Sequence, residues 1–132
     1  MSSILNPYLT FDGKAREAME FYQSVFGGEL QVSTAAEIGM GDSDAVAHAQ
    51  LQTPSGYTLM ASDLVMGDYV APAGFTITIS GDDKDELTGY FNALAEGARV
   101  DLPLSPQPWG DEFGQLVDKF GIAWGVNISA PA

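Results

Sequence analysis

The chain has 132 residues and a mass of 14.0 kDa, with 45% hydrophobic and 17% charged residues, a composition that suits one compact domain and lies far from the disordered range. Eighteen acids against five bases leave a net charge of −13, so a phosphate backbone or an anionic bilayer would repel it, and neither nucleic acid nor membrane is expected as a partner. Cysteine is absent and His48 is the sole histidine, which excludes disulfides, thiolate metal sites and any multi-histidine centre within one chain.

The N-terminal stretch from Met1 to Phe11 has no basic start and is interrupted by Asn6 and Pro7, so it does not read as a secretory signal. No apolar run approaches the roughly 18 residues that span a bilayer. A cytoplasmic location is expected on those grounds.

Within that stretch, Ile4 to Phe11 reads as a strand. A helix follows from Lys14 to Phe26, where Ala15, Ala18, Met19, Tyr22, Val25 and Phe26 recur at spacings of three and four. Asp12 is its expected N-cap, and Gly27-Gly28 tolerate the positive φ that ends it. Strands are predicted at Glu29 to Ala35, Ala45 to Thr53 and Tyr57 to Ser62, the last two joined as a hairpin through Thr53-Pro54-Ser55-Gly56. The Gly-, Pro- and Ala-rich segment from Asp63 to Gly74 reads as a linker, with its centre at about 66–73.

The second half repeats the order. A strand from Phe75 to Ser80 precedes a helix from Lys84 to about Glu96, started by the capping-box pair Asp83 and Glu86 and closed by Gly97. Strands follow at Ala98 to Leu102, Phe113 to Asp118 and Ile122 to Ser129, with Lys119-Phe120-Gly121 closing a second hairpin. Between them, Pro103-Leu104-Ser105-Pro106-Gln107-Pro108 reads as a stiff loop without regular structure. Phe21 and Tyr22 in the first helix, like Tyr90 and Phe91 in the second, are expected to anchor helix to sheet.

The order is therefore β-α-β-β-β, twice. An offset of 69 pairs the helices, matching Phe21-Tyr22 with Tyr90-Phe91 and Gly28 with Gly97. An offset of 65 pairs the hairpins, matching Gln50-Leu51 with Gln115-Leu116 and Gly56 with Gly121. Two unrelated amphipathic helices in an α+β domain are the alternative to a duplicated module.

Several stretches together resemble a known family: Pro7-Tyr8-Leu9-Thr10-Phe11-Asp12-Gly13, Phe21-Tyr22-Gln23-Ser24-Val25-Phe26-Gly27, Ala47-His48-Ala49, Met60-Ala61-Ser62-Asp63, and Trp109-Gly110-Asp111 through Phe113-Gly114 and Asp118-Lys119-Phe120-Gly121 to Trp124. In order and spacing they are similar to the vicinal oxygen chelate superfamily of glyoxalases, bleomycin-resistance proteins and extradiol dioxygenases, and within it to the PhnB-like branch. The resemblance implies one α+β domain over residues 1–132, made of two βαβββ modules, about 1–65 and 74–132. Their sheets would form a cup-shaped, eight-stranded incomplete barrel with a helix outside each sheet. It also implies a homodimer, and a small-molecule ligand bound inside the cup, in many relatives beside a divalent metal.

The resemblance places the usual His and Glu ligands of that metal at about Pro7, Met60, Thr76 and Gly125, where no credible donor set for a hard cation stands, so no cofactor is expected. Strand alternation instead turns other residues toward the cup: Thr58, Met60 and Ser62 opposite His48, Gln50 and Gln52, and Gly125 and Asn127 opposite Phe113, Gln115 and Val117. Gly125 would leave room for a ligand. His48, Ser62, Gln50, Phe113, Gln115, Asn127 and Trp109 are the resulting ligand-binding candidates, Trp109 as an aromatic lid. His48 admits three roles: general base, ligand contact, or packing. The acidic clusters at Asp42 and Asp44, Asp82, Asp83 and Asp85, and Asp111-Glu112 read as caps and solvated loops, and Asp63, Asp111 and Asp118 are the oxygen donors for any metal off the usual pattern.

Two functions compete. One is a small-molecule-binding protein that does without the superfamily's usual metal, and the other is a metal-dependent lyase, isomerase or dioxygenase with a rearranged site. Methyl transfer, a label some relatives carry, finds no support, because no strand is followed by a Gly-rich turn that opens a helix around a nucleotide-like cofactor.

Overall fold

The computed structural model describes residues 3–39, 41, 43–63 and 69–130. The chain divides into two compact units, Met1–Ala71 and Pro72–Ala132. Residues 64–68 of the expected linker, and Asp42 of the first acidic cluster, lie outside the described residues.

The first unit runs β1 (Tyr8–Thr10), α1 (Ala15–Phe26), β2 (Glu29–Thr34), β3 (Val46–Gln52) and β4 (Thr58–Ser62). Its sheet has the order β1-β4-β3-β2, with β1 and β4 parallel and the other pairs antiparallel. The second unit runs β5 (Ile77–Gly81), α2 (Lys84–Leu94), β6 (Arg99–Pro106), β7 (Glu112–Val117) and β8 (Ala123–Ile128), in the equivalent order β5-β8-β7-β6. The helical periodicity and the two hairpins of the sequence are all present. Strand β1 is shorter than expected: pairing begins where the Pro7 carbonyl accepts the Met60 N–H at 3.2 Å, and Ile4 and Leu5 stand exposed before it.

Each helix covers one face of its own sheet. Against α1 lie Leu9, Ala49, Leu51, Leu59 and Ala61, all buried, which meet Ala15, Ala18, Met19, Tyr22 and Phe26 of the helix stripe. In the second unit Leu87, Phe91 and Leu94 lie against the sheet whose buried residues include Ile79, Leu116, Trp124 and Val126. Tyr22 and Phe91 are therefore the anchors, whereas Phe21 and Tyr90 sit half-buried at the flanks of their helices. At Gly114 the Phe91 ring comes so close that a Cβ would lie 2.8 Å from it, so this strand position accepts the helix only as glycine.

The start of α1 corrects one expectation. Lys14, not Asp12, occupies the N-cap and makes no side-chain cap bond. The Asp63 carboxylate at the end of β4 does that work: Oδ1 accepts from the Ala15 N–H at 2.9 Å and Oδ2 from the Val46 N–H at 3.2 Å, tying helix, β3 and β4 together. In α2 the expected Asp83 cap is present, accepting from the Glu86 N–H at 3.1 Å.

The two hairpin turns repeat each other at the level of single hydrogen bonds. The Thr53 hydroxyl accepts from the Tyr57 N–H at 3.0 Å, and its counterpart 65 residues on, the Asp118 carboxylate, accepts from the N–H groups of Phe120 and Ile122 at 2.8 and 3.1 Å. Asp118 also accepts from the Trp124 indole N–H at 2.8 Å, which satisfies the polar atom of a fully packed tryptophan.

A second correction concerns β6. The segment expected to be an irregular loop continues as strand through Pro103 to Pro106, with register shifts against β7 between Val100 and Leu102 and between Leu102 and Ser105. Strand β6 lies at the border of its sheet, where a residue lacking an N–H forfeits no ladder bond to a further neighbour, and the prolines are accommodated for that reason.

Candidate functional site

With a helix on one face of each sheet, the candidate residues are distributed by register. In the first unit Met60 pairs with both Tyr8 and Gln50, and Gln50 pairs with Gln31. Alternation then sets Tyr8, Thr10, Thr58, Met60, Ser62, His48 and Gln50 on the face turned away from α1. In the second unit Phe113 pairs with Asn127, Asn127 with Ser80, Gln115 with Gly125 and Gly125 with Thr78, which sets these six on the face turned away from α2.

In the paired strands Tyr8 lies opposite Met60 and Thr78 opposite Gly125, with Pro7 and Thr76 just before these strand positions. These four positions offer a phenol, a thioether, a hydroxyl and a bare backbone, which do not fit a hard divalent cation. The off-pattern carboxylates are each committed to N–H donors, Asp63 and Asp118 as above and Asp111 as follows.

The Asp111 carboxylate accepts from the Asn127 side-chain amide and from the Ala130 N–H, both at 3.0 Å. The Asn127 bond, with the Ala130 bond after it, holds the Asp111 carboxyl below its ordinary pKa. Of the Asn127 amide, one donor is thereby spent. Trp109, 60% exposed, lies in the turn between β6 and β7, which is closed by the Gln107 N–H to Asp111 carbonyl bond at 2.8 Å. Its ring meets Phe113 at 6.0 Å between centroids with the planes tilted by 59°. A Cβ at Gly125 would lie 3.3 Å from the Thr78 hydroxyl and 3.5 Å from the Phe113 ring, so these two cross-strand side chains border the position.

In the first unit, Ser62 is 3% exposed and its hydroxyl donates to the Val46 carbonyl at 3.5 Å. The residue that the sequence argument missed is Tyr8. Its hydroxyl lies 3.4 Å from His48 Nδ1 and the two rings are 5.9 Å apart, although β4 runs between their strands. Gln50 and Gln115, equivalent under the 65-residue offset, both remain half-exposed, and neither amide bonds to a described residue. No buried side-chain nitrogen or oxygen among the described residues lacks a partner, so these two amides reach solvent.

A family model described as 3-demethylubiquinone-9 3-methyltransferase matches residues 3–127. The chain is similar to the structure of protein PA1353 from Pseudomonas aeruginosa, with 38% identity, a TM-score of 0.83 and coverage of 98% of this chain and 100% of that one. It is also similar to the PhnB protein from Bacillus cereus, which shares the methyltransferase description, at 29% identity and a TM-score of 0.77 over 96% of this chain and 100% of that one. A glyoxalase/bleomycin resistance protein/dioxygenase family enzyme from Burkholderia phytofirmans PsJN, 19% identical with a TM-score of 0.58 over 94% of each chain, shares the fold.

Proposed function

The chain belongs to the family described as 3-demethylubiquinone-9 3-methyltransferase, a PhnB-like family with the glyoxalase/bleomycin-resistance fold, and from that premise we propose that it binds a small organic molecule through neutral hydrogen-bonding groups on the helix-free faces of its sheets rather than through a metal. The observation that supports this most is the pair of half-exposed amides at Gln50 and Gln115. Each stands mid-sheet at the same register of its unit, and each keeps its donors and acceptor available. Phe113 and Trp109 add aromatic surface beside Gln115, and His48 adds an imidazole beside Gln50.

A thermal-shift screen of small organic compounds on protein purified without chelator tests the reading. Gln115→Ala should weaken a hit by about fivefold, the equivalent of one net hydrogen bond of about 1 kcal/mol, with unchanged folding. Affinity unchanged from wild type in both the Gln50→Ala and Gln115→Ala chains overturns the assignment. A stoichiometric metal in the same protein would favour the metal-dependent lyase, isomerase or dioxygenase instead.

The assembly is proposed to be a homodimer, because each four-stranded sheet ends in unpaired borders and because of the family. Light scattering at micromolar concentration should return about twice the 14.0 kDa of one chain. A mass that stays at one chain across that range rejects it.

A further inference from the structure

On the helix-free face of the first sheet, His48 and Tyr8 meet across the intervening strand β4. Strands two apart are separated by roughly 10 Å, so both rings must lean over β4 for the hydroxyl and Nδ1 to come within 3.4 Å. Nε2 of His48 makes no hydrogen bond to a described residue, and since no buried side-chain nitrogen or oxygen among the described residues is left unpaired, Nε2 reaches solvent. The side chains nearest in register, Thr10, Met60, Ser62, Gln50 and Ser33, are uncharged.

We propose that Tyr8 is the positioning residue for a ligand contact made by His48. Its hydroxyl donates to Nδ1 and thereby keeps the imidazole proton on Nε2, where it is offered to a carbonyl oxygen of a neutral small molecule. The neutral imidazole can carry its proton on either nitrogen, and the group bonded to one nitrogen decides what the other presents. A hydroxyl donated to Nδ1 makes Nε2 a donor, and the chain's charge of −13 disfavours an anionic acceptor in its place. The assignment rests on the binding reading above and narrows it to carbonyl compounds.

Because His48 is the only histidine, every imidazole signal in a long-range ¹H–¹⁵N spectrum belongs to it. The wild-type chain should show the proton on Nε2 alone. Tyr8→Phe, which keeps the ring, should admit the Nδ1–H form. The probes are cyclic ketones and lactams, each paired with its exocyclic-methylene counterpart. The carbonyl members should move the Nε2 signal saturably, with about two- to tenfold weaker binding to the Tyr8→Phe chain, the range of one net hydrogen bond. A proton on Nδ1 in the wild type, an unchanged tautomer in Tyr8→Phe, or equal responses to both members of each pair overturns the proposal. Compounds that move the Gln50 or Gln115 amides and leave His48 untouched would uphold the binding reading and reject this one.

Discussion

Gly28→Ala should destabilise the first unit by about 4 kcal/mol, combining the strain of a non-glycine residue in a sparsely populated backbone region with overpacking. Gly28 follows α1 with φ at +102°, and a Cβ built on it would lie 2.1 Å from the Gln52 carbonyl oxygen and 2.8 Å from the Thr53 Cα. Both contacts are backbone, so no side chain can swing away and the hairpin itself would have to shift. Since small domains are held by only about 5–15 kcal/mol, a loss of this size should be plain in urea unfolding followed by circular dichroism. Gly89→Ala supplies the contrast: in the middle of α2, with nothing within 4 Å of its Cβ, it should stabilise by about 0.5–1 kcal/mol. A Gly28→Ala midpoint within about 1 kcal/mol of wild type would contradict the close approach.

The second large effect is expected at Tyr22. Its side chain is fully buried between α1 and the sheet, so Tyr22→Ala should cost about 3–5 kcal/mol, the usual range for an aromatic removed from a core. Phe91→Ala, at 5% exposure in α2, should cost a similar amount, and the half-buried Phe21 and Tyr90 markedly less. Denaturant unfolding of the four alanine variants would reverse the assignment of helix faces if Phe21→Ala proved the costlier of its pair. Tyr22→Ala within about 0.5 kcal/mol of wild type, the scale of surface changes, would reject it outright.

What the sequence disclosed was whatever is encoded locally. The apolar spacing from Ala15 to Phe26, the Asp83 cap and the turn residues at Gly56 and Gly121 each act within a few positions of themselves, and the strand alternation that follows set Gln50 with Met60 and Gln115 with Gly125 on one face of each sheet. The contacts that escaped it span long separations. Asp63 caps a helix 48 residues earlier, a role nothing in its neighbourhood signals, and Asp12, better placed in the sequence, is left without it. Tyr8 reaches His48 across 40 residues and over another strand. The prolines of β6 misled because a proline's effect depends on whether its strand lies inside or at the border of a sheet, and strand order is a tertiary property.

The same prolines bear on how this chain behaves among its neighbours in a crowded solution. Fibril growth proceeds by adding one strand after another through main-chain N–H and C=O groups, and it favours long, flat, regular templates. On β6, two of eight positions offer no N–H to an incoming strand, and two breaks in register prevent the remainder from presenting an even row. An acidic chain whose like copies already repel one another thus also withholds a template on that side of the second unit, so sheet extension by a second chain has to proceed from another border strand, β5 in this unit or β1 or β2 in the first.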